Sequence, residues 1–129
     1  MSQESEVRLE PALLEKLLRA RCVLVLTGSG MSAESGIPTF REAQTGLWSN
    51  YRPEELATPE AFRENPARVW QWYEERRRTV SAAEPHAGHH ALVQIAKWLG
   101  TLHVVTQNVD GLHQFAGSSG VIELHGKIM

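Results

Sequence analysis

The sequence has little cysteine, no long apolar run and almost no charge imbalance. Its one cysteine, Cys22, has no partner for an internal disulfide, which favours a reducing location. Thirteen Lys and Arg against fifteen Asp and Glu give a net charge of -2, so the chain lacks the basic excess of nucleic-acid-binding proteins. No run approaches the roughly 18 apolar residues of a membrane span, and the polar start is unlike a signal peptide. We therefore expect a cytoplasmic protein with neither nucleic acid nor membrane as a partner.

The composition that is present suits one packed domain, since 42% of the 129 residues are hydrophobic and 22% are charged. Leucines at helical spacing predict a helix over 9–20, and further helices run from Pro66 to about Val80 and on to Leu99. The continuous apolar run 22–26 predicts a strand that is buried on both faces, as in parallel sheets.

Two more strands are predicted over 102–106 and 121–124, separated by a short turn of helix. Between the first and second strands, a long helical insertion occupies about 42–99. The order of helix, strand, insertion, strand, short helix and strand predicts an α/β fold with a parallel sheet of about three strands.

The loop that follows the first strand, 27–33, fits the pattern G-x-G-x-x-G/A. In that pattern Gly28 makes the tight turn, Gly30 lets the backbone approach a pyrophosphate, and the small Ala33 lets the next helix pack closely. An ordinary strand-to-helix turn is the alternative. A dinucleotide dehydrogenase should carry an acid at the end of a second strand about 20 residues on. Glu54 and Glu55 lie instead in a proline-flanked helical segment, which disfavours hydride transfer.

Polar residues follow the second strand, at the edge where open α/β sheets place their ligands. Gln107, Asn108 and Asp110 form this cluster, and the alternative is that they cap the short helix after it. His125 ends the third strand and has the side chain that exchanges protons near neutrality, although a structural role is the alternative. His86 and His90 are four apart, but no third ligand accompanies them, so we expect no metal site.

Three blocks of sequence, 34–41, 106–113 and 123–126, carry a specific pattern. They read Glu-Ser-Gly-Ile-Pro-Thr-Phe-Arg, Thr-Gln-Asn-Val-Asp-Gly-Leu-His and Glu-Leu-His-Gly. In this order they resemble the sirtuin family of NAD-dependent protein deacylases. The resemblance implies a Rossmann-like sheet, NAD as co-substrate and acyl-lysine proteins or peptides as partners. It also implies that the acyl group moves to ADP-ribose and that nicotinamide is released.

The resemblance implies roles for single residues. Gln107 would lie near the nicotinamide ribose, Asn108 and Asp110 would hold the nicotinamide carboxamide, and His125 would be the general base, with Asn108 the second catalytic residue. Carboxamide recognition suits an amide and a carboxylate, since Asp110 can accept from the NH2 group and Asn108 can donate to the oxygen. The implied cofactor-binding set is Gly28, Ser29, Gly30, Ser32, Ala33, Ser35, Gly36, Ile37, Pro38, Phe40, Arg41, Gln107, Asn108, Asp110 and His125.

Tyr73 and Arg76 lie three apart on one predicted helix face and resemble the Tyr-x-x-Arg of sirtuins that remove acidic acyl groups. A guanidinium beside a phenol can bind the distal carboxylate of succinyl- or malonyl-lysine, so deacetylation, desuccinylation or demalonylation is expected. The alternative is a charged surface with a Glu74–Arg78 pair.

Sirtuins normally continue past this histidine into two cysteine pairs that bind a structural zinc, and into the second half of the sheet. Neither is present, so we expect residues 1–129 to be a partial catalytic domain, with zinc only in a full-length relative. An uncovered sheet edge would permit self-association. An inactive NAD-binding remnant and a mono-ADP-ribosyltransferase are the alternative functions.

Overall fold

The structure, a computed structural model, describes residues 8–39 and 51–129. The described helices and strands follow the order that the sequence predicts, with a run of helices between the first two strands. In chain order they are α1 (Pro11–Arg19), β1 (Val23–Thr27), α2 (Gly30–Ala33), α3 (Pro53–Leu56), α4 (Pro59–Glu64), α5 (Pro66–Ala82), α6 (Ala87–Leu99), β2 (Leu102–Thr106), α7 (Leu112–Ala116) and β3 (Ile122–Glu123).

The three strands form one parallel sheet in the order β1-β2-β3. Val23 pairs with Leu102 and Thr27 with Thr106, so β1 and β2 are aligned along their whole length. β3 is shorter than the sequence predicts, with two residues beside the end of β2. The predicted α/β fold with a three-stranded parallel sheet is thus confirmed.

The two faces of this sheet differ in burial. Val104 on β2 is 1% exposed, whereas Leu24 and Leu26 on the opposite face of β1 are 58% and 72% exposed. The prediction that the first strand is buried on both faces is therefore wrong for the described residues. The apolar run does form the strand, but α6 packs against β2 on one side only, and alternate side chains of a strand point to opposite faces.

The helical segment between β1 and β2 has well-defined helix starts. Asn65 caps α5 by accepting a hydrogen bond at 3.0 Å from the backbone N–H of Arg68, and Pro66 occupies the first turn, as the sequence predicts. α5 packs against α4, and Trp72 of α5 forms a small core with Leu56 of α3. α6 packs on both β2 and α7, so the segment rejoins the sheet there.

Among the described residues, no helix is both long and apolar enough to cross a bilayer.

Candidate functional site

The glycine loop and the second and third sequence blocks converge at one edge of the sheet. Because the strands are parallel, the segments that follow β1, β2 and β3 all leave at their carboxyl ends. The backbone N–H of Gln107 donates to the carbonyl of Thr27 at 3.0 Å, and that of Leu124 donates to the carbonyl of Thr106 at 2.9 Å. The glycine loop, the amide and carboxylate cluster and the residues before His125 are therefore neighbours.

The glycine loop leaves room rather than making an unusual turn. Neither Gly28 nor Gly30 has a positive φ, so the tight-turn role predicted for Gly28 is not what the backbone requires. A methyl group added at Gly30 would meet nothing within 4 Å among the described residues, and one at Gly28 would lie 4.0 Å from Nε2 of Gln107. Gly36, at φ 85°, does adopt a conformation that favours glycine. Ala33 is exposed, so the close packing predicted for it is absent here.

Ser32 links the glycine loop to the segment after β2. Its buried hydroxyl donates to Oδ2 of Asp110 at 2.5 Å and accepts from Nδ2 of Asn108 at 3.1 Å. The same Asn108 nitrogen donates to the carbonyl of Gly28 at 2.8 Å. Ser32 therefore orients both side chains. The two Nδ2 hydrogens of Asn108 are both used within the protein, so the predicted donation from Asn108 to a carboxamide oxygen is not available in this arrangement.

Asp110 combines the two interpretations that the sequence left open. It is 6% exposed and lies at the strand edge, as expected for a site residue. Its Oδ1 also accepts from the backbone N–H of Leu112 at 2.9 Å, at the start of α7, as expected for a cap. A carboxylate oxygen has two lone pairs, so capping leaves acceptor capacity.

Three imidazoles stack in a column near the site, of which His89 and His113 are buried and His86 is partly buried. The ring centroids of His86 and His89 lie 4.3 Å apart, and those of His89 and His113 lie 5.0 Å apart. His86 accepts from the backbone N–H of Gly88 at Nδ1, so its Nε2 carries the proton and donates to the carbonyl of Met31 at 2.7 Å. The column thus ties the start of α6 to α2.

The other end of the column reaches β1. Nε2 of His113 bonds to Oγ1 of Thr27 at 2.9 Å, and Thr27 in turn donates to Oγ1 of Thr106 at 2.8 Å. His89 is fully buried. Its Nε2 and the Nδ1 of His113 lack partners among the described residues.

Burial favours the neutral forms of His89 and His113. It lowers the pKa of His89 to about 4, with smaller contributions from His86 and His113, while Asp110 acts in the opposite direction. Burial also lowers the pKa of His113, and Asp110 again opposes the shift.

His125 lies on an exposed turn just after β3 rather than at the strand end itself. Glu123, at the start of this turn, contacts a residue of α7 and a residue on the far side of the turn. Its Oε1 accepts from Nε2 of Gln114 on α7 at 2.7 Å and lies 3.5 Å from Nζ of Lys127. Sequence reasoning missed this role of Glu123, for which the i, i+4 spacing to Lys127 was the available signal.

Tyr73 and Arg76 lie on α5, away from the sheet edge. Both are partly buried and both contact Trp72, which is 2% exposed. Burial lowers the pKa of Arg76, and Tyr73 opposes this. The Glu74–Arg78 pair expected of a charged surface is also present, at 3.7 Å.

Some predicted site residues have fewer contacts. Ile37 donates from its backbone N–H to the carbonyl of Ser32 at 3.3 Å, and Ser29 and Pro38 are exposed. Oγ of Ser35 is buried without a partner among the described residues. Phe40 and Arg41 lie outside the described residues.

A cavity of about 890 Å³ lies beside the loop that carries Asp110. Asp110, Val109, His90 and Phe115 contribute to its wall. Its described lining includes neither Gly28 nor His125. Besides the Asp110 segment, it is lined by the end of α5, the loop from α5 to α6, and α7. In the described ranges, no group of three His, Cys, Asp or Glu side chains is arranged to hold a metal ion.

Comparison with known proteins identifies the family. Residues 28–129 match the sequence profile of the Sir2 family. The chain belongs to the Sir2 family. A relative from Ralstonia nicotianae, named NAD-dependent protein deacylase, is 59% identical over 109 residues, which are 84% of this chain and 44% of the relative. A protein of the same name from Aquifex aeolicus is 55% identical over 106 residues, 82% of this chain and 44% of that protein.

Solved Sir2 structures share the fold. The crystal structure of a Sir2 homologue in complex with NAD matches with a TM-score of 0.85 and 48% identity, over 93% of this chain and 46% of that one. A mutant Sir2 homologue in complex with 2′-O-acetyl ADP-ribose matches with a TM-score of 0.83 and 49% identity, over 92% and 47%. This chain spans about half the length of the Sir2 proteins it matches.

Proposed function

We propose that this chain is part of an NAD-dependent protein-lysine deacylase and contributes the residues that bind the nicotinamide end of NAD. As a domain, it would correspond to the first part of a sirtuin catalytic domain. The observation that carries the proposal is the network in which Ser32 joins Asn108 and Asp110 beside the open space above Gly30. It joins the glycine loop to one of the family's sequence blocks at the sheet edge. The names of the Sir2 relatives and the NAD complex support the same activity.

The chemistry of these residues suits the proposed reaction. The acyl-lysine carbonyl oxygen bonds to C1′ of the nicotinamide ribose as the bond from C1′ to nicotinamide breaks. Asp110, held by Ser32 and the start of α7, accepts a hydrogen bond from the carboxamide NH2 group. His125 then takes a proton from a ribose hydroxyl, whose oxygen attacks the acyl carbon. A water molecule adds to that carbon as the amine leaves, which releases free lysine and leaves the acyl group on ADP-ribose.

We also propose a preference for acidic acyl groups. Arg76 and Tyr73 form a partly buried guanidinium and phenol pair on α5, and such a pair binds a carboxylate through charge-assisted hydrogen bonds. The substrates would be succinyl- or malonyl-lysine proteins, with acetyl-lysine as the smaller alternative.

Calorimetric titration of this chain with NAD, followed by titration with acetyl- and succinyl-lysine peptides, tests both parts. Asp110→Ala should weaken NAD binding by about tenfold to a hundredfold, because a hydrogen bond to a charged group is lost. Arg76→Ala should weaken the succinyl peptide alone, and Glu60→Ala and Arg78→Ala on exposed positions serve as controls. Equal losses on both peptides would remove the acidic-acyl assignment.

The titration, together with assays for nicotinamide release and for labelled ADP-ribose, separates the alternative functions. Absence of NAD binding would contradict the whole proposal. Binding without nicotinamide release would identify a non-catalytic remnant, and labelled ADP-ribose attached to protein would identify a mono-ADP-ribosyltransferase.

Self-association is a further proposal, supported by the exposed apolar face and free edge of β1. Leu24 and Leu26 are more than half exposed there, and an uncovered apolar edge strand is a ready surface for a second copy. Sedimentation should give a mass that rises with concentration, and Leu24→Lys should suppress the rise. A monomer at every concentration would contradict this proposal.

We propose a cytoplasmic location. Cys22 is an exposed free thiol, which suits a reducing compartment.

A further inference from the structure

Trp72 is buried at the centre of α5 and contacts both residues of the proposed acyl receptor. Its ring lies 4.8 Å from that of Tyr73, with an interplanar angle of 70°. The guanidinium carbon of Arg76 lies 4.8 Å from the centroid of the Trp72 ring, one helical turn along. Trp72 itself is 2% exposed and packs with Leu56, so its ring is held in place by the core of the helical segment.

A tryptophan face stabilises a guanidinium in a particular way. It attracts the cation through the ring quadrupole, most strongly where water is partly excluded, as it is around Arg76. A contact of this kind uses the face of the ring and does not itself occupy guanidinium N–H donors. Stacking on a ring leaves those donors in the plane of the guanidinium, where a bidentate anion meets them. The contact can therefore orient the cation without neutralising it.

We propose that Trp72 is a positioning residue that orients the Arg76 guanidinium and the Tyr73 phenol to receive the distal carboxylate of an acidic acyl-lysine. This role rests on the proposed preference for acidic acyl groups. It acts through Arg76, since the ring is buried and would not itself touch the substrate.

The same helix offers a matched control. Trp70 lies two residues earlier and also stacks on an arginine, with the guanidinium carbon of Arg77 5.5 Å from its ring centroid. Trp70 is 59% exposed, and Arg77 is also paired with Glu74 at 3.0 Å. Trp70 and Trp72 thus share residue type, helix and an arginine contact, and differ in burial and in the arginine that they contact.

The decisive experiment compares the dissociation constants of succinyl-lysine and acetyl-lysine peptides for this chain and its variants. Trp72→Leu should lower the preference for the succinyl peptide by about threefold to tenfold, the range expected for a cation–π contact. Trp72→Phe keeps an aromatic face and should retain most of the preference, and Trp70→Leu should leave it unchanged. The ratio of the two constants is independent of the fraction of folded protein, so a loss of stability does not imitate the effect.

A second measurement reports on Arg76 without any ligand. The Nε–H signal of Arg76 in a nitrogen-edited NMR spectrum should carry a ring-current shift that Trp72→Leu removes and Trp70→Leu leaves in place. An Arg76 signal that is the same in Trp72→Leu would overturn the proposal.

The peptide measurement distinguishes the two levels of inference. A succinyl preference that persists in Trp72→Leu would overturn the role of Trp72 and leave the acidic-acyl function intact. Equal affinity of the unsubstituted chain for the two peptides would overturn that function, and the role of Trp72 with it.

Discussion

The two faces of the sheet are built from similar residues but have opposite environments. On the face that α6 covers, Val104 and Thr106 are 1% and 3% exposed. On the other face, Leu26 of β1 and Ile122 of β3 are 72% and 52% exposed. The buried residues of the candidate site, Ser32, Asp110 and His113 among them, belong to the carboxyl edge and its hydrogen-bonded network. The covered face thus supports the site, whereas the other face leaves large apolar side chains exposed among the described residues.

The largest expected effect comes from replacing a leucine with alanine once at a buried position and once at an exposed one. Leu112→Ala on α7, where the side chain is 1% exposed, should lower the free energy of unfolding by about 2 to 5 kcal/mol, because it leaves a cavity. Leu26→Ala should change it by less than about 0.5 kcal/mol, since the exposed side chain loses few contacts. Urea denaturation measures both. A large loss at Leu26 would mean that a second copy covers the exposed face in solution.

A change of pH should also alter the free energy of unfolding, because His89 is buried. The folded-state pKa of His89 is about 4, below the roughly 6.5 of an unfolded histidine. As pH falls from 6.5 towards 4, the unfolded chain takes up protons that the folded chain does not. The free energy of unfolding should therefore decrease by up to about 3 kcal/mol over this range, and His113 adds to the effect in the same direction.

Thermal or urea unfolding between pH 7.5 and 4 measures this loss. Charged and titratable groups around His89 are His86, His90, His113 and Asp110, of which Asp110 alone favours the proton. His103→Gln, at an exposed position on β2, is the control and should leave the slope unchanged. Stability that is constant across this range would contradict a neutral, buried His89.

Much of the fold could be predicted from the sequence because local signals agreed with one another. The apolar run after α1 gives β1, Asn65 and Pro66 start α5, and Gly100, at φ 75°, follows the end of α6. Burial of β1 on both faces could not be predicted correctly, because an apolar run indicates a preference and not which element covers it.

The candidate site was predictable as a set of residues but not as a network. Sequence patterns located Asn108, Asp110 and His125 near strand ends. They did not reveal that Ser32 joins the first two, nor that His86, His89 and His113 stack into a column, because these contacts link positions more than twenty residues apart or depend on ring orientation. The sequence pattern also did not reveal that Trp72, a buried residue, contacts Arg76.

The hydrogen bonds of Asn108 determine which kind of ligand group can bind to its side chain. Because its nitrogen donates to both the Gly28 carbonyl and the Ser32 hydroxyl, its two hydrogens are committed to the protein. Oδ1 is then the atom through which Asn108 meets a ligand, and an oxygen of this kind accepts hydrogen bonds but does not give them. A ligand hydroxyl, amine or water can donate a hydrogen bond to Oδ1 of Asn108. A ligand carbonyl could accept one from Asn108 only if its hydrogen bond to Gly28 or to Ser32 were broken.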